Sequence, residues 1–185
     1  MAKQNKKVEK NDIMSYEMYA KNRKQLRKKL VEFKKKRRIS LGPYATFYFE
    51  SFETMLGQIQ EMLYIEKGGN NQLIDELNAY NPLIPKGKEL IATLMFEIDN
   101  PKLRADFLNK VGGIEKKVYI QIAKEKINAI PEIDIDRTSS EGKASSVQFI
   151  HFNFSEEQIK NFKDLNNEII ISIDHNLYNH MTKIS

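Results

Sequence analysis

The sequence contains no cysteine among its 185 residues. This absence excludes a disulfide, a thiolate nucleophile, a cysteine-bound zinc and a cysteine-held iron–sulfur cluster. Any metal would be held by carboxylates, carbonyl oxygens and the three histidines, His151, His175 and His180.

Long apolar runs are also missing. No run approaches the roughly 20 residues needed to cross a bilayer, so we expect no membrane span. The first residues are charged and no apolar stretch follows them, so we expect no secretory signal and a cytoplasmic location. Standard catalytic motifs are absent too: there is no Walker loop, GxGxxG, GxSxG or HExxH. Whether the chain is an enzyme stays open, and the sequence does not fix its oligomeric state.

Positive charge is concentrated at one end of the chain. Residues 1–38 contain 15 Lys/Arg and 4 Asp/Glu, which is a net charge of +11. The remaining 147 residues contain 15 Lys/Arg and 21 Asp/Glu, which is a net charge of −6. This basic segment suits nucleic acid, whose phosphates attract cations regardless of base sequence. The favoured alternative is a solvated face that docks on the acidic remainder or on a partner. Its arginines are more informative than its lysines, because the guanidinium fork matches carboxylates and phosphates. They are Arg23, Arg27, Arg37 and Arg38.

The hydrophobic pattern predicts an α+β fold, with a mixed, mainly antiparallel sheet covered by helices. We expect a disordered tail over residues 1–12 and a single domain over 13–185, in which 13–38 form a long basic helical arm. Residues 132–146 are predicted to form a polar loop. The segment HNLYNHM, after the last predicted strand, is expected to be a turn or short helix.

Four glutamates surround one short predicted helix, about residues 51–67. Its apolar residues form a stripe, and Glu50, Glu53 and Glu61 are predicted to lie opposite that stripe at 100° per residue. Either these glutamates form a solvated face, or they form a carboxylate row that pairs with arginines or binds a cation.

Glu66 differs from the other glutamates because its helical position falls inside the apolar stripe, at the end where the helix dipole disfavours an anion. It requires a partner, unless the helix end frays and Glu66 turns to solvent. His175 follows an apolar strand. A composite site of His175 with Glu61 or Glu66 would suit a divalent metal such as iron, manganese or zinc, and a structural role is the favoured alternative for His175.

Five stretches in one order, RRISLGPYATFYFE, QIQEMLYIE, ELNAYNPLIP, LIATLMFEI and DHNLY, resemble a bacterial family catalogued only as a domain of unknown function. Genes of that family often neighbour those for rubrerythrin and an iron–sulfur oxidoreductase. The resemblance implies the following binding positions: Arg38, Glu50, Gln58, Glu61, Glu66, Tyr80, Asn81, Glu97 and His175. The chain departs from the family where Asn176 follows His175 in place of proline, and where Gln148 and His151 replace histidine and arginine. A metal site that needs the family's histidine at the position of Gln148 would be incomplete here.

Three functions follow from these observations. The leading hypothesis is an accessory or binding protein in peroxide or redox stress, with rubrerythrin or the iron–sulfur oxidoreductase as the partner that the resemblance implies. The second is a metal-dependent enzyme or metal carrier that uses glutamate and His175. The third is a nucleic-acid binder that uses the basic helix.

Overall fold

The computed structural model describes residues 7–132 and 143–184. The described residues form two compact units. The helical unit contains the described residues up to Arg37 together with Glu50–Lys86, and the sheet unit contains Arg38–Phe49 and the described residues from Gly87 onward. Residues 1–6 of the predicted tail, and residues 133–142 of the predicted polar loop, lie outside the described residues.

Three helices make up most of the helical unit: α1 (Tyr16–Lys35), α2 (Phe52–Glu66) and α3 (Gly69–Tyr80). The Ser15 hydroxyl caps α1 by accepting from the amide of Met18. Ser51 caps α2 in a capping box with Thr54, which satisfies amides that have no partner within the helix. The long basic N-terminal helix is confirmed by α1.

The segment before α1 is ordered from residue 7, which corrects the predicted tail for residues 7–12. The side chain amide of Asn81 donates to the backbone carbonyl of Val8 at 3.1 Å, and its Oδ1 accepts from the Val8 amide at 2.7 Å. Val8 is buried, and Lys10–Asp12 form one 3₁₀ turn. A buried valine and a paired backbone oppose disorder, and a charged, Lys-rich sequence reveals neither the burial nor the pairing.

The sheet unit contains nine strands, two α-helices and one short 3₁₀ helix (Ile114–Lys117) among its described residues. The strands are β1 (Arg38–Leu41), β2 (Ala45–Phe49), β3 (Glu89–Phe96), β4 (Val118–Ile122), β5 (Glu125–Asn128), β6 (Ile130–Pro131), β7 (Val147–Asn153), β8 (Ile169–His175) and β9 (Tyr178–Ile184). The helices are α4 (Pro101–Leu108) and α5 (Glu156–Lys163). One sheet has the order β1-β2-β3-β7-β6 and the other β5-β4-β8-β9, and every described strand pair is antiparallel.

Side chains from both sheets share one core. Phe47, Leu94 and Phe152 from the first sheet and Ile120 and Ile171 from the second are fully buried in it. Alternation of more and less buried residues, clearest along β7, directs one face of the sheet inward. The α+β class is therefore confirmed, with two antiparallel sheets where the sequence predicts one.

Tyr178 ties the end of the chain to the loop between β1 and β2. Its hydroxyl donates to the carbonyl of Leu41 at 2.6 Å and accepts from the amides of Ala45 and Tyr44 at 2.9 and 3.1 Å. This residue lies in HNLYNHM, which forms a two-residue turn and the start of β9. The alternative of a short helix there is wrong. In the described part of the chain, no helix is long and apolar enough to cross a membrane.

Candidate functional site

Glu61 of α2 forms a charged cluster with two side chains of α1. The guanidinium of Arg23 donates to both carboxylate oxygens of Glu61, with Nε at 3.0 Å from Oε1 and 3.2 Å from Oε2, and Nη2 in closer contact with Oε1. The Tyr19 hydroxyl donates to Oε2 at 2.6 Å. Tyr19 and Arg23 are four residues apart and share one face of α1, so both reach the same carboxylate. We call Tyr19, Arg23 and Glu61 the ionic cluster.

The ionic cluster fixes the protonation of its members. Hydrogen bonds from Arg23 are the main cause that lowers the pKa of Glu61, against an opposing effect of burial. Burial, followed by the hydrogen bond to Glu61, raises the pKa of Tyr19 well above its usual range. The same carboxylate raises the pKa of Arg23. Glu61 is therefore an anion and Tyr19 a neutral donor at neutral pH.

Aromatic rings extend the cluster toward the start of α1. The rings of Tyr16 and Tyr64 stack with centroids 5.1 Å apart, and Tyr19 meets Tyr64 edge-on at 5.7 Å. The Arg23 guanidinium lies over Tyr64, 4.7 Å from the ring centroid. Such contacts add to the apolar burial of the rings, so α1 is anchored to α2 along its first two turns.

The opposite face of α1 carries exposed lysines. Lys21, Lys24 and Lys28 follow one another at steps of three and four, and at 100° per residue they lie about 140–200° from Tyr19. All three are exposed. Within residues 7–132 and 143–184, none of the three is seen in an ion pair. We call these three residues the lysine stripe, and its charge is available to a partner.

A cleft of about 540 Å³ lies between α1 and α2. Its apolar lining comes from both helices: Leu26, Leu30, Val31, Phe33, Leu56 and Gly57. The two helices approach closely at Gly57, where an added Cβ would lie 2.5 Å from Cδ2 of Leu30. A cleft of this volume falls within the range of ligand sites.

The glutamates of α2 have different environments. Glu53 is exposed, as a solvated face predicts. Glu61 follows the other interpretation and pairs with an arginine. Glu50 is only 4% exposed, and the hydroxyl of Thr54 donates to it. Its placement on a solvated face is wrong because α2 begins at Phe52, so the helical angle does not apply to Glu50.

Glu66 turns to solvent at the end of α2. The helix ends at this residue, and Lys67 follows in the left-handed conformation with φ 56°. Exposed Glu66 accepts from Nε2 of Gln72 at 3.0 Å. The partner is a neutral amide at the surface, so Glu66 does not place an ionised group in the apolar stripe.

The proposed metal ligands are distributed over both units. Glu61 and Glu66 belong to the helical unit, whereas His175 ends β8 in the sheet unit. Nδ1 of His175 accepts from the backbone amide of Leu177 at 3.2 Å, within the β8–β9 hairpin. In residues 7–132 and 143–184 there is no group of three or more His, Asp or Glu side chains arranged to hold a metal.

The remaining positions implied by the resemblance form separate pairs. Gln58 Nε2 lies 3.5 Å from the Tyr80 hydroxyl, and Asn81 holds Val8 as described above. In the sheet unit, the Tyr48 hydroxyl donates to Oε1 of Glu97 at 3.0 Å. Burial and then this hydrogen bond raise the pKa of Tyr48, and Arg38, its cross-strand partner, opposes them.

Sequence reasoning did not identify Tyr19, Tyr48 and Tyr64 as site residues. The available signal was the pair Tyr19 and Arg23, which are spaced to present a hydroxyl and a guanidinium to one carboxylate.

Comparisons with known proteins agree with this architecture. A family model described as "Protein of unknown function (DUF3501)" matches residues 7–185. One similar solved structure, described as a novel protein of unknown function from Burkholderia pseudomallei K96243, is 32% identical to this chain, with a TM-score of 0.88. The match covers 97% of this chain and 93% of that chain. No curated protein matches.

Proposed function

The chain belongs to the DUF3501 family of proteins of unknown function, and we propose that it is a non-enzymatic, cytoplasmic accessory protein that binds an acidic protein partner through α1. The observation that carries the proposal is the lysine stripe. Its three side chains are exposed on a helix whose other face is fixed to α2 by the ionic cluster. A rigid, unneutralised row of cations favours encounter with an acidic surface.

An acidic protein suits this surface better than a nucleic acid. Residues 39–185 have a net charge of −6, and α1 itself carries Glu17 and Glu32. A nucleic acid presents phosphates along its whole length, whereas a protein partner needs only a local acidic patch opposite the lysine stripe. The guanidinium fork of Arg23 in α1 already binds Glu61.

The partners to test first come from the resemblance described above. They are a rubrerythrin and an iron–sulfur oxidoreductase, and the proposed setting that they imply is peroxide or redox stress. The chain has no cysteine, so it contributes no thiolate ligand to a cluster. Its role beside such proteins is therefore to bind them and to change their activity or assembly.

The test is a calorimetric titration of the protein with each purified partner, taken from the same genome. The variant Lys21→Glu/Lys24→Glu/Lys28→Glu reverses the lysine stripe. Three exposed ion pairs at about 0.5 kcal/mol each correspond to a roughly tenfold loss of affinity. The matched control, Lys102→Glu/Lys110→Glu/Lys124→Glu, makes the same change of net charge at exposed sites of the sheet unit.

We expect the stripe variant to bind at least about tenfold more weakly and the control variant to bind as the wild type does. The proposal fails if neither partner binds, or if both variants lose affinity equally. Tight binding to duplex DNA or RNA that falls steeply with salt and is lost in the stripe variant would favour the nucleic-acid hypothesis instead.

The metal hypothesis is tested by elemental analysis of the purified protein. Glu61, one of its candidate ligands, is held by Arg23 and Tyr19, and release of those contacts would have to accompany metal binding. Stoichiometric iron, manganese or zinc that is lost in Glu66→Ala or His175→Ala would support a metal role over the accessory role.

A further inference from the structure

We propose that the cleft between α1 and α2 binds an acidic amphipathic helix of the protein partner. This inference rests on the proposed function, and it adds the site and the kind of segment that the partner supplies. The cleft lies wholly within the helical unit.

The apolar part of the cleft is open along α1. Leu26 and Leu30 are half-buried, while Phe33 is 37% exposed and Val31 is 55% exposed. These side chains extend over about two turns of α1, beyond the residues anchored by the ionic cluster. Burial of such a row against apolar side chains of a partner releases water and stabilises the complex.

The charges around the cleft favour an acidic occupant. Arg27, Lys29 and Lys34 line it, against the carboxylates of Asp12 and Glu53. Glu61 also lines the cleft, but its charge is neutralised by Arg23. The lysine stripe on the same helix adds to the positive potential, so acidic residues that flank an apolar row would meet cations.

The shape of the cleft favours a helix. Its two walls are antiparallel helices, since Tyr19 meets Glu61 and Leu30, later in α1, meets Gly57, earlier in α2. A third helix packs into the groove between two others with its ridges in their grooves. Apolar residues at i, i+3, i+4 and i+7 of that helix would face Leu30 and Leu56, with glutamates on both sides.

The probe is a synthetic 18-residue peptide with leucine at i, i+3, i+4 and i+7 and glutamate at most other positions, followed by fluorescence anisotropy. A peptide with lysine in place of glutamate, and a scrambled acidic peptide, are its controls. Val31→Glu places a negative charge in the cleft at an exposed helical site. Ile74→Glu is the matched control, because Ile74 is 58% exposed on α3 and does not line the cleft.

We expect saturable binding of the acidic amphipathic peptide only, with an affinity at least about tenfold lower for Val31→Glu and unchanged within about twofold for Ile74→Glu. Equal binding of the scrambled peptide would overturn the inference. The inference would also be overturned if decanoate bound, with an affinity lowered by Val31→Glu, and the peptide did not bind. The occupant of the cleft would then be a small amphipathic anion.

The two proposals fail in different ways. If the stripe variant weakens binding of the purified partner and Val31→Glu does not, the proposed function stands and the cleft inference is wrong. If the peptide binds the cleft as expected but neither purified partner binds the protein, the choice of partner is wrong. The cleft inference then stands, with the acidic helix supplied by a different protein.

Discussion

Removal of the Tyr19 hydroxyl perturbs the ionic cluster at a single atom. Tyr19→Phe keeps the ring, which is 4% exposed, and removes the 2.6 Å hydrogen bond to Glu61. The carboxylate keeps both contacts with Arg23, so it is not left without a partner. A hydrogen bond to a charged group contributes about 1.5–3 kcal/mol. We expect a loss at the lower end, about 1.5 kcal/mol, because the arginine remains.

Urea unfolding monitored by circular dichroism measures this loss. With a urea dependence of about 2 kcal/mol per molar, the midpoint falls by roughly 0.7 M and the slope stays unchanged. The ultraviolet titration of the folded protein supplies a second measurement. Since burial and the hydrogen bond to Glu61 raise the pKa of Tyr19, the curve of Tyr19→Phe should lack one tyrosine that ionises above the ordinary range.

Tyr64→Phe is the matched control, because Tyr64 belongs to the same aromatic cluster. Its hydroxyl makes no hydrogen bond among the contacts of the described residues, so we expect its midpoint to change by less than about 0.2 M. Equal shifts for Tyr19→Phe and Tyr64→Phe would refute the assignment of a specific hydrogen bond to Glu61.

Three further perturbations concern other described contacts. Asn81→Ala removes two hydrogen bonds to the segment of residues 7–12, so limited proteolysis within that segment should become about tenfold faster. Tyr178→Phe removes a hydroxyl with three backbone partners, and urea unfolding should show a loss of about 3 kcal/mol. The pKa of Glu61 lies below its ordinary value of 4.5, so its contribution to the free energy of unfolding is complete above that pH and is lost as pH falls through the lowered pKa. Glu61→Gln should therefore flatten the acid side of the stability profile, measured by unfolding between about pH 2 and pH 6.

Each of these predictions has a control of the same residue type. Asn78→Ala changes an exposed asparagine of α3, Tyr119→Phe a tyrosine of β4 without a described hydrogen bond, and Glu53→Gln an exposed glutamate of α2. Proteolysis that is as fast in Asn78→Ala as in Asn81→Ala would contradict the first prediction. Equal destabilisation by both tyrosine variants would contradict the second prediction. A stability profile whose acid side flattens as much in Glu53→Gln as in Glu61→Gln would contradict the third.

Local signals in the sequence predict much of the fold. Ser155 with Gln158 forms the capping box of α5, and Asn100 followed by Pro101 begins α4. These features depend on residues three or fewer positions apart, so they can be recognised in a single sequence. A turn was one of the two predictions for this segment, but strand β9 was not predicted, because the two-residue turn, Asn176 and Leu177, lacks the glycine that usually marks a hairpin.

The candidate site depends on contacts that sequence spacing does not reveal. Glu61 is 38 residues from Arg23 and 42 from Tyr19, and only the packing of α1 on α2 brings them together. Glu50 was placed by a helical angle although it precedes the first residue of α2. Glu66 turns to solvent, which is the alternative that the sequence left open, and its contact with Gln72 depends on the turn between α2 and α3.

The most direct test of the central claim is a map of backbone amide shifts in the ¹⁵N-labelled protein when the purified rubrerythrin or iron–sulfur oxidoreductase is added. If α1 docks an acidic partner, the largest shifts occur at and beside Lys21, Lys24 and Lys28, and they decrease as salt is raised. Shifts confined to the sheet unit, with the amides of α1 unchanged, would contradict the account.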